Sequence, residues 1–307
     1  MGSGMTMSQH GRSPVNRAVR KAAKQVLRQY GEATAGLRPG PDFVVIGAKR
    51  GGTTSLYNYL LEHPSIRALF PGRQHIKGIH YYDSNYPRGL RWYRSHFPVQ
   101  AGGHHLTRPD LSPAIAGEAS PYYLFHPLAA ERLASDYPDV RIIVSLRDPI
   151  DRAYSHYKEA LYHDRETLSF EAVLEAEGER LRGEAERIAA EPGYLSVAHE
   201  HLSYLAQSRY LDTLPRWFSL FPREQFHIMV SEEFYADPNR EVNEIWQFLG
   251  LPPRNLVSRT RHNHQPARDI RPETRQHLQD LLADHNRGLE ELLGRSLPWP
   301  ATRESVR

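Results

Sequence analysis

The 307-residue sequence predicts a single α/β domain, with a mainly parallel central sheet flanked by helices. Two observations carry that expectation. Phe43, Val44, Val45 and Ile46 form a continuous apolar run, bounded by Pro41 and Gly47, that passes through a glycine turn straight into a helical pattern. Residues 140–146, VRIIVSL, form a second such run and pass directly into another helix. Strands that are apolar on both faces and feed helices belong to parallel sheets covered on both sides. The length suits one domain with a sizeable core.

Residues 1–40 read as a basic extension, partly helical or disordered. Val15, Val19, Ala22, Val26 and Tyr30 recur at helical spacing among arginines and lysines. Such a helix either packs on the domain or makes weak contact with a membrane surface. The domain itself is expected over 41–300, with a short tail at 301–307.

The first strand leads into a P-loop-like phosphate site. Gly51 and Gly52 let the backbone turn beside a ligand, and Thr53, Thr54 and Ser55 open a helix whose N–H groups and dipole attract an anion. Lys49 and Arg50 add two full charges. The stretch nearly spells GxxxxGK[ST], with Gly47, Gly52 and Thr54 in register, but Thr53 stands where the lysine belongs. That departure disfavours ATP or GTP hydrolysis. A kinase-like enzyme with an irregular loop and a nucleotide-binding protein without catalysis remain the rival readings.

Further along, Ile66 to Phe70 suggests a short strand or loop. Residues 101–112 read as a loop, and the adjacent His104 and His105 make poor metal ligands without an acidic partner at ligand spacing. No metal is expected. After the second strand, Arg147 closes the apolar run and Asp148-Pro149 begins a helix in which Ile150, Tyr154, Tyr157 and Leu161 keep helical spacing. Residues 162–192 are charged and helix-forming. A helix from Tyr210, a strand over 226–230, an amphipathic helix through Trp246 and a helical C-terminal region complete the series.

Two motifs carry a resemblance. A basic residue, any residue, then Gly-Thr-Thr after a buried strand resembles the 5′-phosphosulfate loop of sulfotransferases that use 3′-phosphoadenosine 5′-phosphosulfate (PAPS). The similarity is greatest to the branch holding the heparan sulfate N- and 3-O-sulfotransferases and their bacterial relatives. Arg147 at a strand end with Ser155 eight residues on resembles the same family's 3′-phosphate motif, and a guanidinium fork with a hydroxyl suits a phosphate. The resemblance implies the fold shared by sulfotransferases and nucleoside kinases, PAPS as sulfuryl donor, and adenosine 3′,5′-bisphosphate as product. It implies a cofactor set of Lys49, Arg50, Gly51, Gly52, Thr53, Thr54, Ser55, Arg147 and Ser155, with Tyr210 and Arg261 completing the pocket. Arg50 takes the place of the family's catalytic lysine, and Lys49 shares or assumes its task.

The family's Lys-Glu-apolar-His-aromatic-aromatic pattern is matched by Lys77, Ile79, His80, Tyr81 and Tyr82, but Gly78 stands where the general-base glutamate should be. Two replacements are visible. His80 is an imidazole suited to neutral pH, and Glu118, in GEASPYY, is a carboxylate on the segment that follows. The acceptor expected is a hydroxyl or amine of a glycan, lipid or secondary metabolite.

Composition narrows the rest. With no cysteine, disulfides and thiolate chemistry are excluded. A net charge of +3 suits anionic small molecules and does not call for nucleic acid. Without a long apolar run, a cytoplasmic protein with no transmembrane segment is expected. Lysine occurs only at positions 21, 24, 49, 77 and 158, so two of five fall within motifs.

Overall fold

Five parallel strands form the sheet, in the order β2-β3-β1-β4-β5, in a computed structural model that describes residues 14–71, 77–99, 114–257 and 270–299. They are β1 (Phe43–Gly47), β2 (Ile66–Arg67), β3 (Ile115–Ala119), β4 (Arg141–Leu146) and β5 (Phe226–Val230). The apolar runs became strands because both their faces are covered. Phe43 and Val45 point to one side, against Leu56, Ile245 and Trp246, while Val44 and Ile46 point to the other, against Leu133, Leu214 and Trp217. That alternation is the period of two of a strand, here apolar on both faces.

The helices run in chain order from α1 (Pro14–Ala33) and α2 (Thr53–Leu60) through α3 (Gly89–Arg94), α4 (Ala129–Asp136) and α5 (Pro149–Tyr162). They continue with α6 (Phe170–Leu181), α7 (Glu184–Ala190), α8 (Val197–His201) and α9 (Tyr210–Leu220), and end with α10 (Ser231–Ala236), α11 (Pro238–Phe248) and α12 (Pro272–Leu293). α2 and α11 cover one face of the sheet, and α4 and α9 the other. The charged stretch 162–192 divides at Arg182-Gly183 into α6 and α7 because Gly183 takes φ 73°.

β1 lies between β3 and β4, so the chain leaves β1 toward one edge of the sheet and later returns to extend the other. Ligands of open α/β sheets bind beyond the carboxyl ends of the strands at such a reversal. The ends of β1 and β4 carry the two motifs, which the topology therefore brings together.

The last turn of α1 is docked on the domain. Gly31 approaches Ser95 so closely that a Cβ would stand 2.9 Å from the Ser95 carbonyl oxygen. The buried Arg38 guanidinium donates to Thr34 Oγ1 at 2.9 Å and to the Phe97 carbonyl, and lies 4.4 Å from the centre of the Phe70 ring. Of the apolar side chains on which a membrane contact would rest, Val26 and Tyr30 are exposed, and those of Val15, Val19 and Ala22 lie outside the described residues. No described helix is long and apolar enough to cross a membrane.

Candidate functional site

Past the end of β1 the chain turns through 48–52 into α2, and the turn is fixed from behind. A Cβ on Gly51 would fall far inside contact distance of the Ser145 carbonyl and 2.9 Å from that of Ala48, so the close approach requires glycine. The Gly51 carbonyl accepts from the hydroxyls of Ser145 and Ser231, tying the loop to β4 and α10. Arg50 and Gly52 both adopt left-handed φ, 68° and 88°. Gly52 provides no side-chain cap for α2, so the first turn keeps its capacity for an anion.

The adjoining strand end presents Arg147, whose Nη1 donates to the Arg50 carbonyl at 3.3 Å. Asp148 then caps α5, accepting from the N–H of Ile150 at 3.0 Å and of Asp151 at 2.9 Å. From α5, Ser155 Oγ accepts from Arg50 Nε at 3.0 Å, and Glu159 accepts from Arg50 Nη1 at 3.1 Å. The fully buried Arg152 holds the Lys49 carbonyl at 3.0 Å and donates to Ser208 Oγ at 2.6 Å. Lys49 Nζ donates to the Glu200 carbonyl at 3.1 Å and meets His201 Nδ1 at 3.2 Å. Burial lowers the Lys49 pKa to about 8 against the pull of Glu159 and Glu200. It also lowers that of His201, to about 4, with Lys49 adding to the effect. His201 is therefore neutral near pH 7, and its Nδ1 accepts from the ammonium.

The facing wall is a strap, residues 77–80, laid along the end of β3. The Lys77 carbonyl accepts from Ala119 N at 2.7 Å, Ile79 N donates to Glu118 at 2.8 Å, and His80 N donates to Ser120 Oγ at 3.0 Å. Gly78 permits this approach: a Cβ there would stand 2.6 Å from the Ala119 carbonyl, 3.0 Å from Ser120 Oγ and 3.3 Å from His80 Nε2. The imidazole edge thus lies beside the point from which a residue-78 side chain would start. His80 Nδ1 pairs with Asp83 at 2.8 Å, while the His80 side chain stays 38% exposed. Burial pulls the imidazole pKa down, but the Asp83 hydrogen bond and the charges of Asp83, Glu118 and Glu200 outweigh it, and the net direction is up. Lys77 Nζ reaches back across the gap to Thr53 Oγ1 at 3.1 Å and Thr54 Oγ1 at 2.7 Å. Burial lowers its pKa to about 8.

Lys49, Arg50, Gly52, Thr53, Thr54, Ser55, His80 and Arg147 all line one open cavity of about 280 Å³. Gly51 underlies its floor, and Ser155 touches it through Arg50. Two expected residues stand apart. Glu118 has no exposed surface, and its carboxylate accepts from Tyr93 and Tyr123, each at 2.9 Å, from Ser120 at 2.6 Å and from Ile79 N. It is walled off from the cavity, which corrects the expectation that it faces an acceptor. Tyr210 is fully buried and donates to the Arg147 carbonyl at 3.0 Å, so it supports Arg147 from behind instead of lining the pocket. Arg261, His104 and His105 lie outside the described residues. Among the described residues no cluster of side chains is suited to a metal ion.

The cavity also holds residues to which the sequence reading gave no role. Lys77 matches the first position of the family's Lys-Glu-apolar-His pattern and stands out by the rarity of lysine, but neither sign assigns it a role. Glu159 sits four residues after Ser155, one helical turn on, a spacing that could have been read. Arg165, Glu200 and His201 carry no local signal, because they reach the site through tertiary packing alone.

Residues 40–276 match the family described as sulfotransferase domain, well over half of the chain. The chain belongs to the sulfotransferase domain family. It is 31% identical over 216 residues to human heparan sulfate glucosamine 3-O-sulfotransferase 6, covering 70% of this chain and 54% of that protein. It is also 31% identical over 217 residues to human bifunctional heparan sulfate N-deacetylase/N-sulfotransferase 3, covering 69% of this chain and 22% of that protein. The chain thus spans about half the length, or less, of these curated relatives. Among solved structures, a sulfotransferase from Alicyclobacillus acidocaldarius superimposes with a TM-score of 0.61 at 30% identity, covering 84% of this chain and 97% of that one. The parallel sheet and its helical cover are accordingly those of the sulfotransferase fold.

Proposed function

We propose that this sulfotransferase domain moves a sulfuryl group from PAPS to a hydroxyl or amine of a small molecule, glycan or lipid, with His80 as general base. The observation that carries the reading is the placement of the His80 imidazole, held by Asp83, on the wall facing an anion seat built from two strand ends. The seat suits such a donor. Its loop has no room for a Cβ at Gly51, its helix start is uncapped, and Lys49, Arg50, Lys77, Arg147 and Arg165 outnumber Glu159 and Glu200 on the lining.

The acceptor's proton passes to His80 Nε2, the nitrogen opposite the one paired with Asp83. The acceptor atom bonds to sulfur as the bond between sulfur and the bridging oxygen breaks, and that electron pair stays on the 5′-phosphate. Little covalent work falls to the protein in such a displacement, so positioning and charge dominate, as in phosphoryl transfer. Arg147 and Ser155 are suited to the 3′-phosphate. Arg50 acts by charge alone, since a guanidinium does not give up a proton near neutrality.

The test is transfer of ³⁵S from labelled PAPS into acceptors of each class without added Mg²⁺, together with thermal melting. A ligand that binds only the native state stabilises it by about 2.7 kcal/mol at one hundred times Kd. Adenosine 3′,5′-bisphosphate should raise Tm far more than ATP with Mg²⁺; equal shifts, or a Mg²⁺ requirement, contradict the proposal.

A further inference from the structure

The loop's sequence has no lysine at position 53, yet an ammonium occupies the corresponding neighbourhood. In GxxxxGK[ST] loops the lysine next to the hydroxyl residue reaches the phosphates. Here Thr53 and Thr54 fill the lysine and hydroxyl positions, and Lys77 arrives from the opposite wall with Nζ 3.1 Å and 2.7 Å from their Oγ1 atoms. An ammonium carries three donors, so two hydroxyl contacts leave one for a ligand. The other two loop cations are held elsewhere: Arg50 by Ser155 and Glu159, and Lys49 by the Glu200 carbonyl and the His201 ring.

We infer that Lys77 is the ammonium of this phosphate site, binding the donor's 5′-phosphosulfate end and stabilising the charge that develops on the leaving phosphate oxygen. The inference rests on the sulfuryl-transfer reading and adds to it a residue and a division of labour. Lys77 and His80 lie three residues apart on one strap, anchored to the end of β3 through Ala119, Glu118 and Ser120. When the acceptor–sulfur bond forms and the sulfur–oxygen bond breaks, the proton leaves toward His80 and the electron pair remains on phosphate oxygen beside Lys77. One strap therefore serves both ends of the reaction. It can do so because Gly78 lets it lie against the Ala119 carbonyl.

The experiment compares two ligands that differ only in the 5′-phosphate. Full-length wild type, Lys77→Met and Lys77→Gln are titrated with adenosine 3′,5′-bisphosphate and with adenosine 3′-phosphate, and their ³⁵S transfer from PAPS is measured. Both variants should bind the bisphosphate more than tenfold more weakly, bind the 3′-phosphate within twofold of wild type, and lose at least a hundredfold in kcat. Lys77→Gln keeps an amide to hold the threonines, so its loss reports the charge and not the anchorage. An equal loss for both ligands, or none, overturns the inference while leaving the sulfuryl-transfer reading standing. A wild-type protein that binds no bisphosphate and transfers no sulfur overturns both.

Discussion

The loop side and the strap side of the cavity are built in opposite ways. On the loop side, Lys49 to Ser55 and Arg147 to Glu159 come from two contiguous stretches, each a strand end running into a helix, and their side chains hold one another: Arg50 binds Ser155 and Glu159, and Arg147 binds the Arg50 carbonyl. On the strap side, the backbone of residues 77–80 is held by Glu118, Ala119 and Ser120 at the end of a distant strand, Asp83 pairs with His80, and Glu200 and His201 complete the wall from α8. On the proposed function, the first side would be an anion seat whose affinity comes from local geometry, and the second a carrier for chemistry whose precision comes from buried hydrogen bonds formed elsewhere. Changes on the loop side should therefore alter binding, and changes on the strap side, apart from Lys77 whose ammonium reaches across to the loop, should alter rate or stability with the donor still bound.

The sharpest way to break that division on the loop side is Arg147→Ala. Loss of a charge-assisted hydrogen-bonding partner should cost about 1.5–3 kcal/mol of affinity for adenosine 3′,5′-bisphosphate. Calorimetric titration should show 5′-AMP, which lacks the 3′-phosphate, almost unaffected. A uniform loss for both would make Arg147 a support and not a ligand.

On the strap side, Glu118→Gln tests whether the buried carboxylate is an anchor. All four of its hydrogen bonds are accepted ones, and an amide group would turn two donors toward donors already there. The variant should lose about 1–3 kcal/mol of stability in denaturant unfolding. Activity per folded molecule should fall less than in His80→Ala. Full stability with abolished turnover would return the base to Glu118.

Asp83→Asn sharpens the comparison through pH. The base must be neutral to accept a proton, and Asp83 helps to raise the His80 pKa, so the acidic limb of kcat/KM should lie above the ordinary imidazole value of about 6.5. Removing the Asp83 charge should move that limb to lower pH, with a loss of rate smaller than the ~10²-fold minimum expected for losing the base itself. In the wild type a basic limb is expected near pH 8, where Lys49 and Lys77 lose their protons in the free protein. An acidic limb unmoved by Asp83→Asn would exclude the pair as the titrating unit.

The same contrast explains what could be read in advance. The loop side was legible because each motif is continuous: an apolar run, a turn at Gly51-Gly52 or at Asp148-Pro149, and a helix start specify position and chemistry within about sixteen residues. The strap was half legible. Its motif showed that a glutamate was absent at Gly78, but not that a side chain there would strike the Ala119 carbonyl, nor that His80 Nε2 would lie 3.3 Å from where it began. Glu118 misled because a carboxylate on the expected segment looks the same in sequence whether it faces a cavity or two buried tyrosines. Tyr210 misled similarly, since its hydroxyl serves the backbone of Arg147 and not the pocket. Glu200 and His201 were invisible because nothing local connects α8 to the loop until Lys49 bridges to it.

The most direct test of the division between seat and strap is His80→Ala, measured for both properties in one preparation. Removing a positioned general base costs about 10²- to 10⁴-fold in rate. ³⁵S transfer from PAPS should fall within that range while the Kd for adenosine 3′,5′-bisphosphate stays within twofold of wild type. Transfer within threefold of wild type, or bisphosphate affinity lost in step with rate, would contradict the account.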